Sequence, residues 1–252
     1  MQGSFCGACG QARRPLDPSL REMIQELGYE LADLDGRVWS SLRRLFLAPG
    51  YLTKQHFIGR RASWLPPIRM YLIVSVAYFA ISALTGEAGL QVNVSVTGDS
   101  EEDRIAQLEQ LGFSSDEELQ LAVQETETRW LPRIMFVLMP IFAGLVYLAY
   151  RRSGRRYPSY LVFSLHVHTA WFGLFAVTGI TTYVAKSIVS ADLIGIVTLV
   201  VAVAYLALAL RYVFDESLWR AIAKGILLCG VYAVITIAIT VVTVGSIVFT
   251  GN

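Results

Sequence analysis

Long apolar runs, each about the length of a membrane crossing, alternate in this chain with short charged islands. A helix rises about 1.5 Å per residue, so crossing roughly 30 Å of hydrocarbon takes about 20 apolar residues. The blocks 68–84, 130–150, 160–188, 193–214 and 221–249 are of that kind. Charged residues make up 16% of the chain, against about 25% in soluble domains, so the polar surface that water would require is missing. The expected fold is an all-α polytopic membrane protein with about five transmembrane helices. No apolar segment precedes residue 66, which predicts an uncleaved first span serving as signal anchor rather than a cleaved leader.

The polar islands divide the chain further. Residues 1–17 form a short glycine-rich segment bearing Cys6 and Cys9. Residues 18–65 form a basic region in which Leu27, Leu31, Leu34, Val38, Leu42 and Leu45 recur at steps of three or four, marking one stripe of a helix that Pro49 and Gly50 end. Such a helix either lies in the headgroup layer or packs its stripe on the protein's own spans. Arg60, Arg61, Trp64 and Arg69 then mark a membrane interface before the first span, 66–85. Residues 86–129 carry eleven acids against two bases and read as a small acidic cap. Within it, Val92, Val94 and Val96 alternate as in a short strand, and Asn93 begins a glycosylation sequon. Asp99 or Ser100 caps one helix there, and Ser115 with Glu118 forms a capping box for a second, running through Val123. Residues 130–252 hold the four remaining spans, the first with Pro132 near its start and Pro140 inside it.

Charge bias selects an orientation. With the N-terminus cytosolic, seventeen of the twenty-one lysines and arginines fall on the inner side, including the short loop 151–156. The acidic cap and the C-terminus then lie outside.

The cysteine and histidine positions carry the chemical candidates. Cys6-Gly-Ala-Cys9-Gly is a knuckle that suits zinc, but zinc takes about four ligands and the chain has no second CxxC. Zinc through Cys6 and Cys9 is therefore an incomplete site, with His56 a conceivable extra ligand that lacks a partner signal. His166 and His168 fall inside the third span, where ionisable groups are functional candidates by default. Residues i and i+2 of a helix lie about 200° apart, so the two rings face different neighbours and suit interhelical hydrogen bonds to Ser, Thr or Tyr. No Walker loop, GxSxG or HExxH is present, and no acid or base falls near the middle of a span.

The knuckle, the stretch 40–75 (SSLRRLFLAPGYLTKQHFIGRRASWLPPIRMYLIVS) and the stretch 160–172 (YLVFSLHVHTAWF) together resemble the bacterial membrane family catalogued as domain of unknown function 3667. The resemblance implies two N-terminal CxxC knuckles forming a ribbon, of which this chain shows the second. The first then lies upstream, or the ribbon has degenerated. It implies no activity.

Three readings of function follow. The first is an interaction or scaffold protein of the bacterial inner membrane, acting through the basic region and the acidic cap. The second is a small-molecule transport or permeation protein with Ser164, His166, Thr169 and Thr178 along a pathway. The third is a metal- or haem-dependent membrane enzyme using His166 or His168. Partners expected are the lipid bilayer and a protein of unstated identity. Homo-oligomerisation is compatible with the sequence, which has no nucleic-acid signature. The charge bias predicts that reporter fusions will place Gly112 outside, Gly154 inside and Asn252 outside. A cytosolic C-terminus would mean that the spans between 160 and 214 are miscounted.

Overall fold

The computed structural model describes residues 34–60, 63–85, 100–110, 113–185 and 188–250. Every regular element among them is helical: α1 (Leu34–Leu47), α2 (Tyr51–Phe57), α3 (Pro67–Thr85), α4 (Glu101–Gln110), α5 (Asp116–Tyr150), α6 (Tyr157–Ala185), α7 (Ala191–Phe214) and α8 (Leu218–Thr250). Five stretches are long and apolar enough to cross a membrane: α3, residues 133–153 (the end of α5 with the Arg151–Ser153 turn after it), α6, α7 and α8. The CxxC segment, the alternating 91–97 stretch with Asn93, and Arg61 lie outside the described residues.

Local chemistry accounts for the helix ends. Pro67 opens α3, a position where its missing N–H costs nothing. Ser100 Oγ accepts the Asp103 amide at 3.1 Å. Ser115 Oγ accepts the Glu118 amide at 3.2 Å, and Glu118 returns a bond to the Ser114 amide at 2.7 Å, a capping box displaced by one residue. Asp215 ends α7 in the left-handed conformation, with its amide on the Arg211 carbonyl.

Two elements differ from the sequence reading. The helix expected to end near Val123 continues into the second span, so α5 is one helix of 35 residues, about 52 Å long. Nothing between 123 and 130 breaks it, since QETETR contains neither Gly nor Pro. Pro132 and Pro140 each remove one backbone bond inside α5, and hydroxyls of α6 cover carbonyls beside Pro140. Ser164 Oγ donates to the Met139 carbonyl at 2.8 Å and Tyr157 to the Pro140 carbonyl at 2.8 Å. The second difference is α2, seven residues in a stretch read only as a membrane boundary.

The centre of the bundle is α6, which packs on α3, α5, α7 and the short helices α1 and α2, while α8 closes against α5 and α7. Phe142, Phe163, Leu138, Leu206 and Leu210 are fully buried between them. Gly225 of α8 faces Ala207 of α7 so closely that an added Cβ would stand 3.5 Å from the alanine's, the small-residue contact expected where helices associate in lipid. Val177, Leu199, Val234 and Val242 point outward, as suits a surface facing hydrocarbon.

The stripe of α1 packs on the protein's own spans. Leu45 is buried with Leu52, Leu65, Met70 and Ala170. Tyr205 of α7 donates to the Leu45 carbonyl at 2.9 Å, and the fully buried Ser41 hydroxyl accepts the Leu65 amide at 3.0 Å. The turn between α1 and α2 fits where side chains are missing. Gly50 has φ 81°, and a Cβ on it would stand 2.8 Å from the Ala209 carbonyl oxygen. Gly173 lies beneath the Phe46 ring, where a Cβ would collide. At the same end of the bundle, Lys54 pairs with Asp215 at 2.6 Å and Lys224 with Glu216 at 2.7 Å, and Glu216 also accepts from the Tyr150 hydroxyl.

The two left-handed glycines separate conformation from packing. Gly59 has φ 82° with open space around it, so Gly59→Ala is expected to cost only the left-handed penalty, about 1–2 kcal/mol. Gly50→Ala adds a clash with α7, and its loss of Tm in detergent should be at least twice as large. Equal losses would show that the turn does not seat on α7.

Candidate functional site

Two imidazoles sit two residues apart on α6, at 5% and 3% exposure for His166 and His168. Their partners lie on different elements. His168 Nδ1 is 2.9 Å from the Ser164 carbonyl, one turn earlier, and its Nε2 is 2.7 Å from the Tyr232 hydroxyl of α8. A carbonyl oxygen only accepts, so Nδ1 carries the proton and Nε2 accepts from Tyr232. Phe142 and Tyr232 hold the ring edge-on, with centroids 5.3 and 5.6 Å away.

His166 meets Thr53 of α2, whose Oγ1 is 2.8 Å from Nδ1. Thr53 is 1% exposed, and its hydroxyl has no other partner among the described residues. A buried hydroxyl proton needs an acceptor, so Thr53 donates to Nδ1 and His166 carries its proton on Nε2. With Thr53 as the donor, the neighbouring histidines hold opposite tautomers.

Each ring borders a different cavity. The larger, about 310 Å³, lies between α5, α6, α7 and α8, away from the Lys54–Asp215 end. His168, Trp171, Thr178, Thr198, Cys229 and Tyr232 line it among mostly apolar neighbours. Its polar wall groups are already engaged: Thr178 with Thr198 at 2.8 Å, and the Trp171 indole N–H on the Ala202 carbonyl at 3.2 Å. Tyr232 gives its proton to His168, so its oxygen keeps lone pairs that can accept from a guest. The smaller cavity, about 190 Å³, is framed by His56, Arg60, Trp64 and His166 with Leu52, Leu65, Pro66 and Pro67.

Of the interface residues read from the sequence, Arg60 and Trp64 join this smaller cavity. Arg69 sits half-buried in the first turn of α3 and lines neither of the two. Cys6, Cys9 and Arg61 lie outside the described residues. Among the described residues, no three His, Cys, Asp or Glu side chains converge to hold a metal. Sequence reasoning overlooked Thr53 and Tyr232 as histidine partners and did not join His56 to His166. The histidine positions signalled that partners were needed, but only the helix packing shows which.

Residues 35–79 match the family model described as Protein of unknown function (DUF3667), which bears out the resemblance drawn from the sequence. The match covers nearly all of α1, α2 and most of α3. It contains every residue lining the smaller cavity except His166. No curated protein and no solved structure matches the chain.

Because the two rings engage different helices, their replacement should be additive. His166→Asn and His168→Asn, which retain hydrogen-bonding groups, should each cost about 0.6–1.7 kcal/mol. The double variant should match their sum within about 0.5 kcal/mol. Coupling well beyond that in a double-mutant cycle would show one shared site.

Proposed function

We propose that this multi-pass membrane protein binds a small, largely apolar molecule with one hydroxyl end inside its bundle, and that this is its central activity. The observation that carries the reading is the 310 Å³ cavity with the His168–Tyr232 pair on its wall. Ligand sites are typically apolar concavities with a few fixed polar groups. Here the exposed chemistry is a phenolic oxygen already donating to an imidazole, so it favours a guest that donates. Alcohols and phenols meet that requirement. We place the protein in the bacterial inner membrane with the Arg151–Ser153 turn cytosolic and the acidic cap outside, on the charge bias.

A continuous permeation route past His166 has less support. The two cavities border rings on opposite faces of α6, and that helix stands between them. An enzyme built on these imidazoles also has less support, since both nitrogens of His168 are engaged and no set of three ligands forms among the described residues. The scaffold reading keeps one specific support. The acid-rich start of α5 extends the helix beyond the apolar stretch that begins at residue 133, a helical arm suited to a protein partner. Zinc held by Cys6 and Cys9 would need ligands from a second chain or from residues upstream.

Trp171 provides the test, because it lines the cavity. In detergent, a bromoalkyl alcohol should quench Trp171 fluorescence, read as the difference between wild type and Trp171→Phe. The matched bromoalkane should bind about threefold to tenfold more weakly, the worth of one hydrogen bond. Tyr232→Phe should abolish that preference. Equal quenching by both probes, or quenching unchanged in Trp171→Phe, would sink the reading.

A further inference from the structure

The smaller cavity has a different chemistry, and its donors point to a ligand of opposite character. Arg60 is the distinctive cation of this region. Lys54 is held by Asp215, Lys224 by Glu216, Arg44 lies 5.2 Å over the Tyr51 ring and Arg155 lies 4.3 Å over Phe57. The Arg60 guanidinium, by contrast, has no hydrogen-bond or ion-pair partner among the described residues. Across the same cavity is His166, 5% exposed, whose Thr53 bond leaves Nε2–H as a donor with no partner among the described residues. A buried donor without an acceptor is costly unless something else supplies one.

The third element is α3. Pro66 and Pro67 line the cavity, so it abuts the N-terminus of a helix of 19 residues; neither proline has an N–H to donate, and the helix contributes its dipole, which favours negative charge. No carboxylate is among the lining residues. A guanidinium, an imidazole N–H and a helix N-terminus all attract an anion. The same set repels a metal cation.

We propose that the cavity framed by His56, Arg60, Trp64 and His166 is a phosphate-binding site at the base of the first span. A tetrahedral phosphate presents oxygens in several directions at once, which suits Arg60 and His166 approaching from separate elements. Arginine engages such a group with two parallel N–H bonds. Trp64, Leu52 and Leu65 give the site an apolar wall for the carbon side of a phosphate ester. The phosphate belongs either to a lipid headgroup or to a soluble phosphorylated molecule, and the chemistry is shared. This site is separate from the hydroxyl-binding cavity, so either proposal can fail alone.

The chain has three histidines, so ring nitrogen NMR of the full-length protein in a phosphate-free maltoside detergent can follow each one. His168 serves as the internal control for folding. Titration with inorganic phosphate, or with a short-chain phosphatidylglycerol, should shift the His166 resonances saturably and leave those of His168 in place. Saturation by inorganic phosphate assigns a soluble ligand, and saturation by the phospholipid alone assigns a headgroup. Either supports the site. Arg60→Gln should weaken binding tenfold or more, as expected for a charged hydrogen-bonding group. Arg152→Gln, on an exposed residue outside the cavity, should leave binding unchanged. The proposal is overturned if neither probe shifts His166, or if Arg152→Gln weakens binding as much as Arg60→Gln. It is equally overturned if zinc alone moves His56 and His166 while phosphate does not.

Discussion

Hydrocarbon provides no hydrogen bonds, so every polar group carried into the bundle must be answered by another part of the chain. The helix that meets this constraint most sharply is α6, which is buried along its central stretch and carries two imidazoles there. One is satisfied by a carbonyl and a tyrosine, the other by a threonine from a short helix outside the spans. These partners fix where each proton resides. One ring then presents an acceptor system to one cavity, and its neighbour presents a donor to the other.

The stretch that matches the family model is also the stretch that docks on α6 and α7. Its turn enters at Gly50, its phenylalanine covers Gly173, and Thr53 completes the His166 bond. The same segment then leads into α3, which packs extensively on α6. The matched stretch, residues 35–79, therefore meets the rest of the bundle chiefly through α6 and α7 and walls a cavity against α6. The Lys54–Asp215 pair fixes geometry more than it adds stability, because both side chains remain substantially exposed.

The spans were legible because crossing length and apolar composition leave few alternatives. The first was expected at 68–84 and runs Pro67–Thr85, and the fourth was expected at 193–214 and runs Ala191–Phe214. The Ser115 capping box was legible because its signal is local. The continuity of α5 was not, since a capping signal marks where a helix starts but says little about where it stops. The short α2 escaped for another reason. Its seven residues are too few to show a period, and its stability comes from Leu52 and Thr53 seated against other elements. The candidate site was half legible. Histidine at positions 166 and 168, with rings facing apart, follows from helical geometry, whereas Thr53 and Tyr232 depend on which helices meet. His56 drew notice only as a stray ligand, because a sequence cannot show that it shares a cavity with His166.

The unbroken α5 has a mechanical consequence. A rod about 52 Å long that is apolar over only its 133–153 stretch behaves as a lever with its far arm outside that stretch. Two prolines interrupt its backbone bonds, Pro132 just before that stretch and Pro140 within it, and the carbonyls of Met139 and Pro140 are clasped by Ser164 and Tyr157 of α6. Ser164 is also the residue whose carbonyl fixes the His168 proton. A bend of α5 at Pro140 would therefore pull on the Ser164 contacts beside His168, at the wall of the larger cavity.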